Sequence, residues 1–110
     1  MSRNMSRKIL VTGGCGWLGA AIVRALLARG DSVIATDLAI SPAMATLATR
    51  EQGLKFQAAD LGEWRQVIDL FSAHRPDAVV HTAAIVGVIQ CAQLPTRALR
   101  VNVEGSINLF

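Results

Sequence analysis

The residues of this chain best suited to chemistry lie in Val11-Thr12-Gly13-Gly14-Cys15-Gly16-Trp17-Leu18-Gly19 and in a single carboxylate further on, Asp37. A glycine-rich turn between a strand and a helix makes a place for a diphosphate. Its first glycine lets the chain reverse, the next lets backbone approach the phosphates, and the last, Gly19, lets the helix pack on the strand. The N–H groups and dipole at the helix N-terminus then face the negative charge. Asp37 stands 18 positions after Gly19, near the roughly 20 expected of a carboxylate that binds a ribose. A P-loop is excluded, because no Gly-Lys-Ser/Thr follows the glycines. The turn and the carboxylate together read as a dinucleotide site.

Those residues need elements to position them. Lys8-Ile9-Leu10-Val11-Thr12 is a continuous apolar, β-branched run, as a strand buried on both faces should be. After the turn, Leu18, Ala21, Ile22, Ala25 and Leu26 recur at helical spacing and predict a buried stripe there. Arg29-Gly30 closes that helix, and a second strand-like run, Asp31 to Thr36, leads into Asp37. Ser41-Pro42 reads as N-cap and first helical residue of a short helix to about Gln52. Leu54 to Asp60 predicts a third strand. Glu63 to Ala73 predicts a helix with Trp64, Val67, Ile68 and Phe71 on its core face, ended by His74, Arg75 and Pro76. Asp77 to Ala84 predicts a fourth strand running into a small-residue loop, and Leu94 to Phe110 a last helix. Strands alternating with helices predict an α/β fold, a Rossmann-type doubly wound parallel sheet with its first four strands in the order 3-2-1-4. The last helix has no cap, and nothing after it returns to the sheet, so the chain reads as a fragment with the C-terminal part missing.

Composition bounds the rest. At 110 residues the chain is one domain at most, a flexible arm over 1–7 and the α/β unit over 8–110. With 52% hydrophobic and 17% charged residues it is not disordered, and no apolar run reaches the roughly 18 residues of a membrane span. The net charge of +3 comes partly from Arg3, Arg7 and Lys8, and no basic stripe interleaved with aromatics points to nucleic acid. The charged start lacks the apolar stretch of a signal peptide, and Met5 offers a second start site. Cys15 and Cys91 have neither C-x-x-C spacing nor His companions, which fits a reduced, cytoplasmic setting with Cys15 packing in the turn. His74 reads as a helix-end residue.

In order along the chain, Thr12 to Gly19, Asp37, Asp60-Leu61, His81-Thr82-Ala83-Ala84 and Asn102-Val103-Glu104-Gly105 resemble the motifs of the extended short-chain dehydrogenase/reductases, the NAD-dependent epimerase/dehydratase family. The resemblance runs from Arg7 to Phe110. It implies that Gly13, Gly16 and Gly19 shape the diphosphate turn and that Trp17 and Leu18 offer backbone N–H groups. It gives Asp37 both hydroxyls of the adenosine ribose. A carboxylate there repels a 2′-phosphate, and no Arg flanks it, which favours NAD over NADP. Asp60 and Leu61 match the pair at the adenine edge; the alternative for Asp60 is to cap the next helix, and the two roles are compatible. Thr82, Ala83 and Ala84 match the loop under the nicotinamide half. Asn102 matches an Asn used near the cofactor or to steady helix and water around it, an exposed helix position being the alternative. His81 is expected as a strand-end residue bonded to neighbouring backbone.

The same resemblance implies a small-molecule substrate, a sugar nucleotide or another hydroxylated compound, and a last helix that pairs across a homodimer. The family's acid/base pair is Tyr-x-x-x-Lys, and this chain contains no Tyr. No catalytic residue is therefore assigned within it. A Lys found in some epimerases two places after the small-residue motif is Val86 here. Two readings follow: the NAD-binding portion of an epimerase, dehydratase or dehydrogenase, and a non-catalytic module that senses the dinucleotide.

Overall fold

The structure is a computed structural model that describes residues 7–82. Met1 to Ser6, Ala83, Ala84, Cys91, Asn102 and the expected last helix lie outside the described residues. The described elements are β1 (Lys8–Thr12), α1 (Trp17–Ala28), β2 (Ser32–Asp37), α2 (Pro42–Arg50), β3 (Leu54–Ala58), α3 (Trp64–His74) and β4 (Ala78–His81). All three strand pairings are parallel and the order is β3-β2-β1-β4, as the alternating pattern predicts. β1 and β2 form the middle of the sheet, and their apolar runs are buried almost throughout.

Strand alternation sorts the apolar side chains into two layers. Ile9, Val11, Val33, Ala35 and Leu54 face α1 and α2, where Val23 and Met44 complete the cluster. Leu10 and Ile34 face α3 and pack with Ala59, Leu61, Val67 and Leu70. The helix ends follow their local chemistry. The Ser41 side chain accepts the Met44 N–H at 3.1 Å, with Pro42 just inside. At the end of α1 the Gly30 N–H reaches the Leu27 carbonyl and the Asp31 N–H the Leu26 carbonyl, while Gly30 takes φ +97°. That pair of bonds, with glycine in the left-handed region, is a Schellman cap.

Two expectations about helix faces are corrected. The buried side of α1 runs through Gly19, Ile22, Val23, Leu26 and Leu27, one residue out of phase with the expected stripe, and Leu18, Ala21 and Ala25 are exposed. The phase is set by Gly19, which must face the glycine turn for the helix to dock. On α3, Trp64 and Ile68 are exposed among the described residues, at 57% and 43%, and the sheet is met instead by Val67, Leu70 and Phe71. Those three residues have the i, i+3, i+4 spacing of one face; Ile68 is rotated away from it. The third strand is also shorter than expected: the Ala59 N–H still donates to the Asp37 carbonyl at 2.9 Å, and Asp60 begins the loop.

Candidate functional site

The carboxyl ends of the strands gather the glycine turn, Asp37, Asp60 and Thr82 at one edge of the sheet. Gly13 reverses the chain at φ +68°, a conformation that residues with a Cβ rarely adopt. Gly16 donates its N–H to the Gly13 carbonyl at 3.0 Å and is the N-cap of α1. No side chain caps the helix and its first turn holds no acidic residue, so nothing in it competes for an anion. Trp17 and Leu18, the first two helical residues, are 92% and 56% exposed. Gly19 is buried against the turn: a Cβ there would lie 2.7 Å from the Gly13 carbonyl carbon and nearer still to its oxygen. The three glycines thus divide the labour of reversal, open approach and close packing.

Asp37 reaches back to the turn. Its Oδ2 accepts the Cys15 N–H at 3.1 Å and its Oδ1 the Leu38 N–H at 2.8 Å. Each carboxylate oxygen has a second lone-pair direction, so the group can hold the turn and accept two further hydrogen bonds. Cys15 contributes packing, as its composition context suggests: it lies against the core, and its Sγ accepts the Ser41 N–H at 3.4 Å, tying the turn to the start of α2.

A side-chain network closes the β1–β4 side. Thr12 Oγ1 lies 2.6 Å from Nδ1 of His81 and accepts the Thr82 N–H at 3.0 Å. The Thr82 hydroxyl donates to the Thr12 carbonyl at 2.6 Å, which pins the beginning of the loop after β4 to the beginning of the glycine turn. Burial lowers the pKa of His81 below 6.5, favouring the neutral ring. The sequence marks His81 as a strand-end residue with backbone partners; its ring meets the Thr12 side chain 69 residues away, a contact only the parallel register creates.

The alternative expected of Asp60, a cap on the next helix, is not what it forms. Its Oδ1 accepts the Gly62 N–H at 2.9 Å in a local turn, its N–H donates to Gln66 Oε1 at 2.8 Å, and the N-cap of α3 is Glu63. Leu61 is 4% exposed and its side chain belongs to the α3 core cluster, leaving only its backbone for a ligand. His74 ends α3 as expected, with Nε2 2.7 Å from Gln57 Oε1. Among the described residues no group of His, Cys, Asp and Glu could hold a metal ion, and no helix is long and apolar enough to cross a membrane.

The arrangement suits a dinucleotide. An uncapped helix start beside an open glycine offers donors to a diphosphate, and a carboxylate fixed to the same turn offers acceptors to a ribose diol. Comparison with known proteins agrees. The sequence profile of the NAD-dependent epimerase/dehydratase family matches residues 9–110. A dTDP-glucose 4,6-dehydratase of Escherichia coli is 35% identical over 107 residues, covering 94% of this chain and 30% of that protein. A bifunctional UDP-glucose 4-epimerase and UDP-xylose 4-epimerase of Pisum sativum is 36% identical over 113 residues, covering 96% of this chain and 32% of that protein. The crystal structure of a Thermus thermophilus UDP-glucose 4-epimerase complex with NAD superposes with a TM-score of 0.79 at 34% identity, over 93% of this chain and 32% of that one. The chain thus spans about a third of the length of the curated relatives it matches. By its sequence, its strand order and its glycine turn, the chain belongs to the NAD-dependent epimerase/dehydratase family.

Proposed function

We propose that this chain is the NAD-binding portion of an epimerase, dehydratase or related oxidoreductase acting on a sugar nucleotide or another hydroxylated small molecule. The observation that carries the reading is Asp37, held by the Cys15 N–H beside an uncapped helix start. In this reading the turn from Gly13 to Gly19 holds the diphosphate through backbone N–H groups, Trp17 and Leu18 included. The two free lone-pair directions of Asp37 accept the adenosine ribose hydroxyls, and the loop at Asp60 and Leu61 borders the adenine. Thr82, tied to Thr12, sets the floor toward the nicotinamide. Bound NAD supplies a hydride acceptor and donor. The chain has no Tyr, so the Tyr-x-x-x-Lys proton chemistry of the family is not assigned to any of its residues. The free thiol of Cys15 fits a reducing, cytoplasmic setting.

The preference for NAD over NADP rests on charge. A 2′-phosphate would sit against the Asp37 carboxylate, and Leu38, Ala39 and Ile40, which follow it, offer no cation. Replacing Asp37 with Ala weakens NAD binding by about 1–3 kcal/mol through lost charge-assisted hydrogen bonds. Calorimetric titration of NAD into both proteins measures this, and an unchanged affinity would remove Asp37 from the ribose site. Titration of Asp37→Asn with NADP separates charge from hydrogen bonding, since the amide keeps an acceptor and drops the repulsion.

A further inference from the structure

At the opposite end of the sheet, a cleft of about 150 Å³ opens on the α3 side, lined by Lys8, Ser32, Gln52, Lys55 and His74 together with neighbouring backbone. The register explains why these side chains converge. Lys8 stands opposite Ser32, and Lys55 opposite Ile34, all on the strand face that α3 covers, and α3 ends there at His74. Among the described residues no Asp or Glu lines the cleft. Two carboxylates near this end have other partners: Asp31 pairs with Arg29 at 2.7 Å, and Asp77 accepts the Lys8 backbone N–H at 2.9 Å. Among the described residues the ammonium groups of Lys8 and Lys55 form no ion pair.

We propose that this cleft binds a small phosphate-class oxyanion, held by the ammonium groups of Lys8 and Lys55 beside the ring of His74. Two ammonium groups lining one cleft repel each other, and an anion between them turns that repulsion into attraction. Burial lowers the pKa of His74, and the nearby charges of Lys55 and Lys8 lower it further. His74 is also held in place by its bond to Gln57, so the ring is set before the anion arrives. The volume is well beyond what one water needs and leaves room for a tetrahedral oxyanion. None of these residues belongs to the cofactor site, which lies at the other ends of the same strands, about 17 Å away along a five-residue strand.

Inorganic phosphate is the probe. It is titrated into the chain at fixed pH and constant ionic strength while the imidazole resonances of His74 and His81 are followed by NMR. The expected result is a saturable shift at His74 that chloride does not reproduce, and an affinity about fivefold or more weaker in Lys55→Gln. Lys55 is exposed, so the variant tests the charge and not the fold. A shift at His74 that chloride matches, or that Lys55→Gln leaves unchanged in affinity, overturns the proposal. So does a saturable shift confined to His81, which would place the phosphate at the glycine turn instead.

Discussion

Asp31 and Asp37 bracket the same strand, and their carboxylates have different partners. Asp31, just before β2, is 6% exposed; it accepts from Nε and Nη2 of Arg29 at 2.8 and 2.7 Å and from the Arg7 N–H at 3.3 Å. Asp37, at the end of β2, accepts only backbone N–H groups, from Cys15 and Leu38, and among the described residues has no cation beside it. The first carboxylate is neutralised and closes a corner of the fold. The second keeps its charge and its spare lone pairs at the edge where the parallel strands end. Open α/β sheets bind ligands at that edge. Asp37 is also the acceptor that a nucleotide would find unmatched.

The glycines repeat the contrast and give its strongest test. At Gly19 a Cβ would collide with the Gly13 carbonyl, which is backbone in a turn and has no room to yield. Gly30, in the Schellman cap, has open space around it and only its φ of +97° against substitution. Alanine at position 19 should therefore destabilise by about 3 kcal/mol or more, overpacking having no local remedy, whereas Gly30→Ala should cost about 1–2 kcal/mol. Urea denaturation of the two variants measures both. Equal losses would mean that the turn can shift and that its tightness is not what docks α1.

Gly16 separates function from fold within the turn itself. Among the described residues a Cβ there meets only the Gly13 carbonyl oxygen, at 3.3 Å, and its φ of −75° is ordinary for any residue. Gly16→Val should keep the circular dichroism of the parent while abolishing NAD binding, because the side chain would fill the phosphate's path. A folded variant that binds NAD normally would remove this turn from the cofactor site. At the amino end the expectation reverses. Asp31→Asn should cost about 1 kcal/mol, modest because the Arg29 side chain is 63% exposed, and should leave NAD affinity unchanged. A loss of affinity there would mean that the two ends are coupled through β2.

How much of this could be read from the sequence depends on the range of the interaction. The turn, Asp37, the Ser41 cap and the strand order follow from neighbours in the chain and from the alternation of strand and helix, and they stand in the structure as expected. The buried phase of α1 lies one residue from the apolar pattern because the Gly19 contact with Gly13 outranks the bulk of Leu18. Trp64 has the size and spacing of a core residue, but Val67, Leu70 and Phe71 hold the sheet. The contacts of Thr12 with His81 and Thr82 span 69 and 70 residues, and the reach of Asp37 to the Cys15 N–H depends on a turn geometry that residue types alone do not specify. The basic cleft at the amino end needs the register of three strands and the end of a helix, so no local pattern announces it.

Thr36, one residue before Asp37, carries the smallest expected effect and decides where the functional edge begins. It is 1% exposed, and among the described residues its Oγ1 finds no hydrogen-bond partner, although its strand neighbours on the same face, Thr12 and Gln57, both use their side chains. A buried hydroxyl without a partner costs about 1–3 kcal/mol, and valine has nearly the same shape without that penalty. Thr36→Val should therefore be neutral or stabilising by about 1 kcal/mol, raising Tm by about 4–8 °C in a domain of this size, with NAD affinity unchanged. Thermal unfolding and NAD titration of the same variant check both halves. A stable variant with weakened NAD binding would give the hydroxyl a part in the site and move its boundary one residue deeper into β2. An unstable one would give the hydroxyl a partner in the fold and leave the boundary at Asp37.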